Sequence, residues 1–434
     1  MSRQAHYDCV GIGVGPANLS LASLLHRHTD LPNVFMEKRE SFGWHDGQQI
    51  PGATLQVSIL KDLVSLSDPT SPFSFLSYLK DRGRIYHFIN AQFSDVPRQE
   101  YRDYLEWACL KNENVVFGET VESVEFDGEF VLRTNRRTVT ANNICLGIGN
   151  EPWVPAEGRD KLGSGHFHVS DFVERGRDLA GLRVCVVGGG QSGAEAFLDL
   201  ISRPQDQRPR RVSWVSRRRN FSPIDDSPFT NDYYMPGYSD YFYGLDAETR
   251  ATFNQQHVLS SDGISEATLR EIYQRIYAER FLHGNKDLVA LYPNRSVIGV
   301  TPGAGGNGEW ALSLTNSNHP GVLGQVDADV VVWATGFRTR TPEFMAPLSD
   351  RIEWEGDEFR IDRDFAARWD GPPDRGIFVQ NAALRQRGLA DKNLSLIAWR
   401  SQRIVDRLRG VRSDDPDPSF VEWSAKLPLD ETAV

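Results

Sequence analysis

Paired cysteines are missing from this sequence of 434 residues, which has only four cysteines in all. They are Cys9, Cys109, Cys145 and Cys185, and each stands alone in the chain. No Cys-x-x-Cys or Cys/His cluster is present, so the sequence offers neither a redox disulfide nor a metal site. Three of the four lie in apolar runs typical of strands, which predicts that the cysteines act as small buried hydrophobic residues.

Long apolar runs and an excess of positive charge are also absent. No stretch of about 18 apolar residues could span a bilayer, and the polar start Ser2-Arg3-Gln4 is not followed by an apolar leader. The formal net charge is −11, from 48 basic and 59 acidic side chains. Nucleic acids and anionic membranes attract basic surfaces, so we expect neither as a partner. We expect a cytoplasmic protein whose acidity fits a small cationic ligand.

Two glycine-rich turns are present, and each stands between a β-like run and a helical stretch. The first covers residues 11–18, GIGVGPAN. Gly13 and Gly15 lack Cβ atoms, so the backbone can turn tightly and approach a pyrophosphate at the start of the next helix. Glu37 ends the next β-like run about 20 residues later, where a carboxylate can bond a ribose hydroxyl. The combination predicts a dinucleotide site.

The second turn is a full G-x-G-x-x-G formed by Gly188, Gly190 and Gly193, directly after the apolar run Arg183–Val187. The β-like run that follows ends in Ser-Arg-Arg-Arg at residues 216–219 rather than in an acid. An arginine at this place can donate two N–H hydrogen bonds to a 2′-phosphate, which favours NADPH over NADH. The alternative is a solvated basic surface.

The order of these units predicts an α/β fold with two Rossmann-like dinucleotide-binding domains, one for FAD and one for NADPH, and a small, largely helical substrate-binding region. Residues 329–337 echo the apolar, glycine-ended run 143–149, so the chain is expected to leave the first domain at one run and return at the other. We expect 1–160 to begin the FAD domain. We expect 161–335 to form the NADPH domain, with a substrate-binding insertion at about 222–285. Residues 336–434 would complete the FAD domain and supply a C-terminal substrate-site helix.

The first unit has an acid, Glu37, after its second β-like run, which suits FAD, and the second unit has arginines at the same place, which suit NADPH. A chain that holds both cofactors can transfer hydride from NADPH to FAD. A disulfide reductase needs a cysteine pair beside the flavin, and none is available. The chemistry left is reaction of reduced flavin with oxygen or with another electron acceptor, which the cofactor performs while the protein orients and shields it. Residues 222–243 are predicted to be irregular, and helices are expected at 264–280 and 394–408.

Several segments together resemble the microbial N-hydroxylating flavin monooxygenases of siderophore biosynthesis. They occur in the family's order, at residues 8–22, 44–45, 56–66, 188–195, 215–218, 260–264, 334–337 and 394–400. The resemblance covers nearly the whole chain and includes Leu60-Lys61-Asp62-Leu63, which has no generic explanation. It implies an NADPH-dependent flavin N-monooxygenase, commonly a homo-oligomer, which uses O2 through a C4a-hydroperoxyflavin. Such enzymes hydroxylate lysine, ornithine, cadaverine or putrescine.

The resemblance also implies roles for individual residues. The FAD set is Gly13, Gly15, Pro16, Asn18, Glu37, Lys38, Trp44, His45 and Gln56. The NADPH set is Gly188, Gly190, Gln191, Ser192, Gly193, Arg217 and Arg218, and Thr335, Gly336 and Leu394 complete the cofactor-binding prediction. The substrate set is Lys61, Asn231, Asp262 and Ser395. No catalytic side chain beyond the cofactors, and no metal, is expected.

Simpler roles compete with four of these assignments. Lys61 could be a surface lysine that keeps its ammonium in water, and Asn231 could be an ordinary turn residue. Ser395 could be the first residue of a helix. His45 could be a packed loop histidine.

The amine is predicted from resemblance alone. Residues 51–56 and 68–73 look closer to the diamine hydroxylases of hydroxamate siderophore pathways than to the lysine enzymes, so we predict cadaverine or putrescine. Asp262 stands near an asparagine of the ornithine enzymes, which indicates a different substrate length. L-lysine is the alternative, because Lys61 can pair with a substrate carboxylate in amino-acid hydroxylases. A more distant alternative is an NADPH oxidase or reductase that does not hydroxylate.

Overall fold

The computed structural model describes residues 5–303, 309–413 and 419–423. Its strands are β1 (Ala5–Ile12), β2 (Asn33–Glu37), β3 (Thr54–Leu55), β4 (Val96–Pro97), β5 (Val115–Phe117), β6 (Val121–Asp127), β7 (Glu129–Thr134), β8 (Thr138–Leu146), β9 (Asn150–Pro152), β10 (His166–His168), β11 (Arg183–Val187), β12 (Arg211–Val215), β13 (Val289–Tyr292), β14 (Arg295–Pro302), β15 (Trp310–Asn316), β16 (His319–Ala328), β17 (Val330–Trp333), β18 (Phe337–Thr339), β19 (Trp354–Glu355), β20 (Glu358–Phe359) and β21 (Ile377–Val379).

The α-helices are α1 (Pro16–Leu25), α2 (Phe75–Asp81), α3 (Ile85–Ala91), α4 (Arg98–Lys111), α5 (Ala156–Arg159), α6 (Phe172–Arg175), α7 (Gln191–Ser202), α8 (Pro236–Tyr243), α9 (Ala247–Gln256), α10 (Leu259–Asp262), α11 (Glu266–Tyr277), α12 (Leu384–Arg387) and α13 (Ile397–Leu408). Short 3₁₀ segments are Asp46–Gln48, Val169–Asp171, Thr230–Tyr234, Glu343–Arg351, Leu389–Lys392 and Leu394–Leu396, and a π-helical turn covers Ala278–Leu282.

The first unit is a sheet of seven strands in the order β5-β2-β1-β8-β7-β6, with β21 also paired to β8. Strands β1, β2, β5, β8 and β21 run parallel, and β6 and β7 form an antiparallel hairpin beside them. The first half of β8 pairs with β7, and its last residues pair with β21. The chain near residue 378 therefore returns to the first sheet, as the sequence predicts.

The second unit is a parallel sheet of five strands in the order β10-β17-β11-β12-β13. Alternate side chains of β11 face opposite layers, as the period of a strand requires. Val184 and Val186 are buried with side chains of α7, whereas Cys185 and Val187 are buried with side chains of the antiparallel sheet β14-β15-β16. Because β11 is covered on both faces, it reads as a continuous apolar run in the sequence.

The two units are joined by a short antiparallel ladder. Strand β9 lies on the outgoing connection and β18 on the returning one, and they pair from Asn150 with Thr339 to Pro152 with Phe337. The expected exit and return points therefore lie side by side. The predicted α/β fold with dinucleotide-binding domains is confirmed by this topology. The exact domain boundaries stay a prediction, and residues 1–4, 304–308, 414–418 and 424–434 lie outside the described part.

The prediction that residues 222–243 are irregular is wrong for their second half. A 3₁₀ segment covers Thr230–Tyr234, and α8 follows it. Pro236 occupies the first turn of α8, where its missing N–H costs nothing. Tyr238 and Phe242 are buried, and α8 packs against α12. Pro236 thus begins a helix, and Tyr238 and Phe242 form the buried face of that helix.

The predicted insertion does not form one separate body. Helices α8 and α9 pack against α12, which belongs to the returning part of the chain, whereas α11 packs against α7 of the second unit. All four cysteines are buried and free, as predicted. Within the described ranges, no helix has the length and apolarity needed to cross a membrane.

Candidate functional site

A cleft of about 2000 Å³ is lined by both glycine-rich turns. Both turns follow the carboxyl ends of parallel strands, β1 in the first unit and β11 in the second, where α/β sheets hold their ligands. A pocket for one drug-sized ligand rarely exceeds roughly 1,000 Å³. The cleft is therefore large enough for more than one extended ligand.

The first turn requires its glycine. Gly13 has φ +86°, and a Cβ atom there would lie 2.7 Å from the carbonyl oxygen of Gly147. Gly15 precedes α1, and no side chain caps the helix start. The free N–H groups of α1 therefore face the cleft uncapped and suit an anionic ligand such as a pyrophosphate. Pro16 lines the cleft beside them.

Glu37 and Lys38 line the same end of the cleft. The Glu37 carboxylate accepts the Val14 N–H at 3.0 Å and the Arg39 N–H at 3.0 Å, one on each oxygen. These bonds fix the carboxylate between the first turn and the end of β2. Each oxygen keeps a lone pair that can accept a ribose hydroxyl.

Two predicted FAD residues do not line the cleft. Asn18 is fully buried behind the turn, where its amide donates to the carbonyls of Ile12 and Gly13, and Gln380 donates to its oxygen at 2.9 Å. Asn18 therefore braces the turn and does not face a ligand. The Gln56 amide is bonded to Thr54 within its own loop. The structure thus places both residues in supporting positions, and their contact with FAD stays a prediction.

The second turn repeats the design of the first. A Cβ atom at Gly188 would overlap the carbonyl of Ala334, and Gly190 precedes α7 without a side-chain cap. Gly193 is buried and does not line the cleft, because its role is the close approach of α7 to the Gly188 carbonyl. Thr335 and Gly336 line the cleft beyond this turn, as does Leu394.

Gln191 and Ser192 line the cleft, but their side chains also make bonds within the protein. Gln191 donates to Glu195 at 2.9 Å and accepts the Ser265 N–H at 2.8 Å, which ties α7 to the start of α11. The Ser192 hydroxyl accepts from the Gln48 amide at 3.0 Å. Gln48 belongs to the first unit, so this bond crosses between the units.

Trp44 and His45 line the cleft on the first unit's side. Their rings contact edge to face, and the His45 Nδ1 lies 3.1 Å from the Gln48 Oε1. Burial, together with the positive charge of Arg98, lowers the pKa of His45 to about 4. The ring is therefore neutral at pH 7, and it starts a hydrogen-bonded chain through Gln48 to Ser192.

Sequence reasoning missed the ion pair that joins the units. Arg98 begins α4 and donates to both oxygens of Glu195 on α7, at 2.8 and 2.7 Å. It also donates to the Gln48 carbonyl. Arg98 carries no motif in the sequence, and Glu195 stands out only as a neighbour of the second turn. No local sequence pattern predicts that Arg98 and Glu195 form an ion pair.

The arginines after β12 also line the cleft. Arg218 donates to the carbonyls of Gly189 and Asp262 at 2.9 and 2.7 Å, so it braces the second turn. Arg217 is exposed and has no hydrogen bond or ion pair among the described residues. The two predicted NADPH arginines therefore differ, and only Arg217 keeps its guanidinium for a ligand.

The predicted substrate set is only partly brought together. The Lys61 Nζ lies 5.7 Å from the ring centroid of Tyr234, and burial lowers the pKa of its ammonium. Asn231, three residues before Tyr234, is exposed and donates to the Asp226 carbonyl. Asn231 lies within the 3₁₀ segment and Lys61 lies beside it, but neither residue lines the cleft.

The other two members of the set lie elsewhere. Asp262 does line the cleft. It lies beside the second turn, where its backbone carbonyl accepts a hydrogen bond from Arg218. Ser395 is buried, and both its N–H and its hydroxyl donate to the Asn393 side chain at the start of a 3₁₀ segment. These contacts are those of a helix-start residue, which was the alternative given to Ser395, and its substrate role stays a prediction.

The fold and the paired turns define an oxidoreductase of the two-dinucleotide class. The chain belongs to the L-lysine 6-monooxygenase/L-ornithine 5-monooxygenase family, whose pattern matches residues 5–339. This confirms the predicted family and the predicted flavin-dependent N-monooxygenase of siderophore biosynthesis.

Three relatives illustrate the range of this similarity. The L-lysine N6-monooxygenase of Escherichia coli is 36% identical over 422 residues, which cover 96% of this chain and 98% of that enzyme. The FAD-bound cadaverine monooxygenase of Erwinia amylovora superposes with a TM-score of 0.91 at 26% identity, covering 98% and 100% of the two chains. The ornithine N-hydroxylase of Kutzneria, with reduced FAD, NADP+ and L-ornithine, gives 0.85 at 30% identity over 93% and 99%. The predicted cofactors, FAD and NADPH, are confirmed by these structures.

Proposed function

We propose that this enzyme hydroxylates one amine of a short aliphatic diamine, cadaverine or putrescine, in hydroxamate siderophore biosynthesis. One atom of O2 ends in the hydroxylamine and the other in water, and NADPH gives the two electrons. The relatives act on lysine, ornithine and cadaverine, so the family alone leaves the amine open. The choice rests on the charge of residues 222–262, the segment next to Lys61.

The observation that carries the proposal is the acidity of the segment next to Lys61. Residues 222–262 contain no lysine and seven carboxylates, at positions 225, 226, 232, 240, 246, 248 and 262. Asp240 is already paired with Arg363, Arg387 and Arg403, so the acidity of the segment comes from the other six. The one arginine of the segment, Arg250, is paired with Glu355. Asp262 lines the cleft itself. Such a surface attracts a dication and repels the carboxylate of an amino acid.

Bound FAD supplies the group that activates oxygen, and the chain's residues hold and shield it. The two uncapped helix starts bind the pyrophosphates, while Trp44 and His45 help to keep water from the space between the turns. The substrate amine must lose its proton, because an alkylammonium has a pKa of about 10.4 and cannot attack. An apolar, water-poor site favours the neutral amine by desolvation.

L-lysine is the second candidate, and Lys61 favours it. Within the described residues the Lys61 ammonium has no carboxylate partner, and it is partly buried. A substrate carboxylate would neutralise it. The 36% identity to the lysine enzyme of Escherichia coli supports the same alternative.

The test is a product assay with cadaverine, putrescine, lysine and ornithine under air, with NADPH and NADH compared for each. We expect NADPH oxidation that rises with a diamine and yields its hydroxylamine, with a kcat/KM at least tenfold above that for lysine. Hydroxylation of lysine alone would replace the proposal with the second candidate. NADPH oxidation that gives only peroxide with all four amines would indicate an oxidase.

A further inference from the structure

Five arginines line the cleft among the described residues, and they differ in what they contact. Arg39 lies 4.0 Å from Asp46, and Arg340 lies 3.8 Å from Glu343. Arg218 donates to backbone carbonyls of the second turn. The remaining two, Arg217 and Arg295, have no carboxylate partner in the described ranges.

Arg295 is fixed next to the loop that carries Arg217. The Arg295 N–H donates to the Ser216 carbonyl at 2.9 Å, and the Asn294 N–H donates to the Arg218 carbonyl at 2.6 Å. Asn294 has φ +55°, a left-handed turn that lets the chain reverse between β13 and β14. Arg295 and Arg217 thus flank a two-bond backbone clamp at the rim of the cleft.

The second turn lies directly against the same clamp. A Cβ atom at Gly189 would overlap the Ser216 side chain, and the Ser216 hydroxyl accepts the Arg218 N–H at 3.1 Å. A dinucleotide whose pyrophosphate sits at the start of α7 places its adenosine ribose near the end of β12. The ribose would therefore lie near the loop that carries Arg217 and the backbone clamp that fixes Arg295.

We propose that Arg295 is a second specificity-determining residue, which together with Arg217 holds the 2′-phosphate of NADPH. The Arg295 guanidinium donates one bond, to the Asn294 carbonyl, and neither it nor the Arg217 guanidinium has a carboxylate partner among the described residues. Two such groups suit a dianion, which each can bond through paired N–H donors. Arg295 comes from the antiparallel sheet β14-β15-β16, so this sheet contributes to cofactor choice. The inference rests on the proposed function only in taking NADPH as the reductant.

The test is calorimetric titration of the FAD-loaded enzyme with two probes, adenosine 2′,5′-bisphosphate and 5′-AMP. Only the first carries a 2′-phosphate, and neither reacts. We expect Arg295→Ala to weaken binding of the bisphosphate about tenfold and to leave 5′-AMP binding within about twofold. The Arg217→Ala variant should behave in the same way, and Arg295→Lys should keep part of the affinity.

The matched control is Arg219→Ala. Arg219 is exposed, lies two residues from Arg217 and does not line the cleft, so its loss removes the same charge without touching the site. We expect it to leave both affinities unchanged. The proposal is overturned if Arg295→Ala leaves bisphosphate binding unchanged, if it weakens both probes equally, or if Arg219→Ala has the same effect. Because no amine is present, these results do not depend on which substrate the enzyme hydroxylates.

In steady state, Arg295→Ala should raise the KM for NADPH and leave kcat/KM for NADH unchanged. A purely structural role would lower both coenzymes' kcat/KM together and would reduce the FAD content, which the flavin absorbance reports. Either of those results would contradict the assignment.

Discussion

The guanidinium of Arg98 and the carboxylate of Glu195 form a two-bond ion pair that joins the first unit to the second. Only 11% of the Arg98 side chain and 6% of the Glu195 side chain are exposed. The Gln48 carbonyl and the Gln191 amide extend the pair in both directions. Helix α4 lies in the unit with the first glycine turn and α7 lies in the unit with the second. This pair therefore sets how the two dinucleotide sites face each other.

Replacement of Glu195 by Gln should therefore slow hydride transfer. Leaving a buried arginine without its counter-charge costs about 3 kcal/mol of unfolding free energy. We expect flavin reduction by NADPH, measured by stopped flow without oxygen, to slow at least tenfold while FAD stays bound. Arg84→Ala is the control, because Arg84 is exposed and its pair with Glu100 of α4 is worth about 1 kcal/mol or less. An unchanged reduction rate in Glu195→Gln would show that the pair does not align the units.

Replacement of Gly13 by Ala should abolish FAD binding. The new Cβ would press on the Gly147 carbonyl at 2.7 Å, and the residue would keep a left-handed backbone. Gly128→Ala has the same backbone strain, with φ +75° in the β6–β7 turn, but meets no neighbouring atom. The flavin-to-protein absorbance ratio should fall to near zero in the first variant and stay at the wild-type value in the second. Full FAD occupancy in Gly13→Ala would remove the turn from the cofactor site.

Replacement of Lys61 by Ala separates the two candidate substrates. If the substrate is a diamine, removal of a half-buried cation should lower its KM or leave it unchanged, because like charges no longer repel. If the substrate is lysine, the lost carboxylate contact should raise its KM by tenfold or more. A tenfold rise in the KM for cadaverine would contradict the diamine proposal.

Acid should destabilise the protein through His166. Burial lowers the pKa of this ring to about 4, and its Nε2 accepts the Trp333 N–H at 2.5 Å. Unfolding restores a pKa near 6.5, so the unfolded chain binds the proton first as pH falls. The stabilising effect of the neutral ring is complete above about pH 6.5 and is lost between pH 6.5 and 4. Urea unfolding measured at several pH values in this range should show that the free energy of unfolding falls less steeply with decreasing pH in His166→Gln than in the wild type. An equal dependence on pH in the two proteins would refute the assignment.

The glycine turns were predictable because their cause is local. Gly13 and Gly188 are needed where a strand turns into a helix, and neighbouring residues in the sequence reveal that need. Asn18 was assigned to the cofactor by the family resemblance. In the structure it faces inward, because its amide donates to the Cys145 carbonyl of β8 and its amide oxygen accepts from Gln380 behind the turn.

The surroundings of Lys61 were less predictable, because residues distant in the chain form them. Lys61 and Tyr234 come together only when the insertion folds back over the first unit. Arg98 and Glu195 are likewise separated by 97 positions and are carried by different units. A helix pattern shows which face is apolar, but it does not reveal which charged residue on that helix meets a partner across the cleft.

The most direct measurement of the central claim is the origin of the oxygen in the product. The enzyme is incubated with NADPH, cadaverine and ¹⁸O2, and the hydroxylated amine is analysed by mass spectrometry. The account predicts a hydroxylamine that carries one ¹⁸O atom, with close to one product formed per NADPH consumed. A product without the label, or NADPH consumption that forms only labelled peroxide and no hydroxylamine, would contradict it.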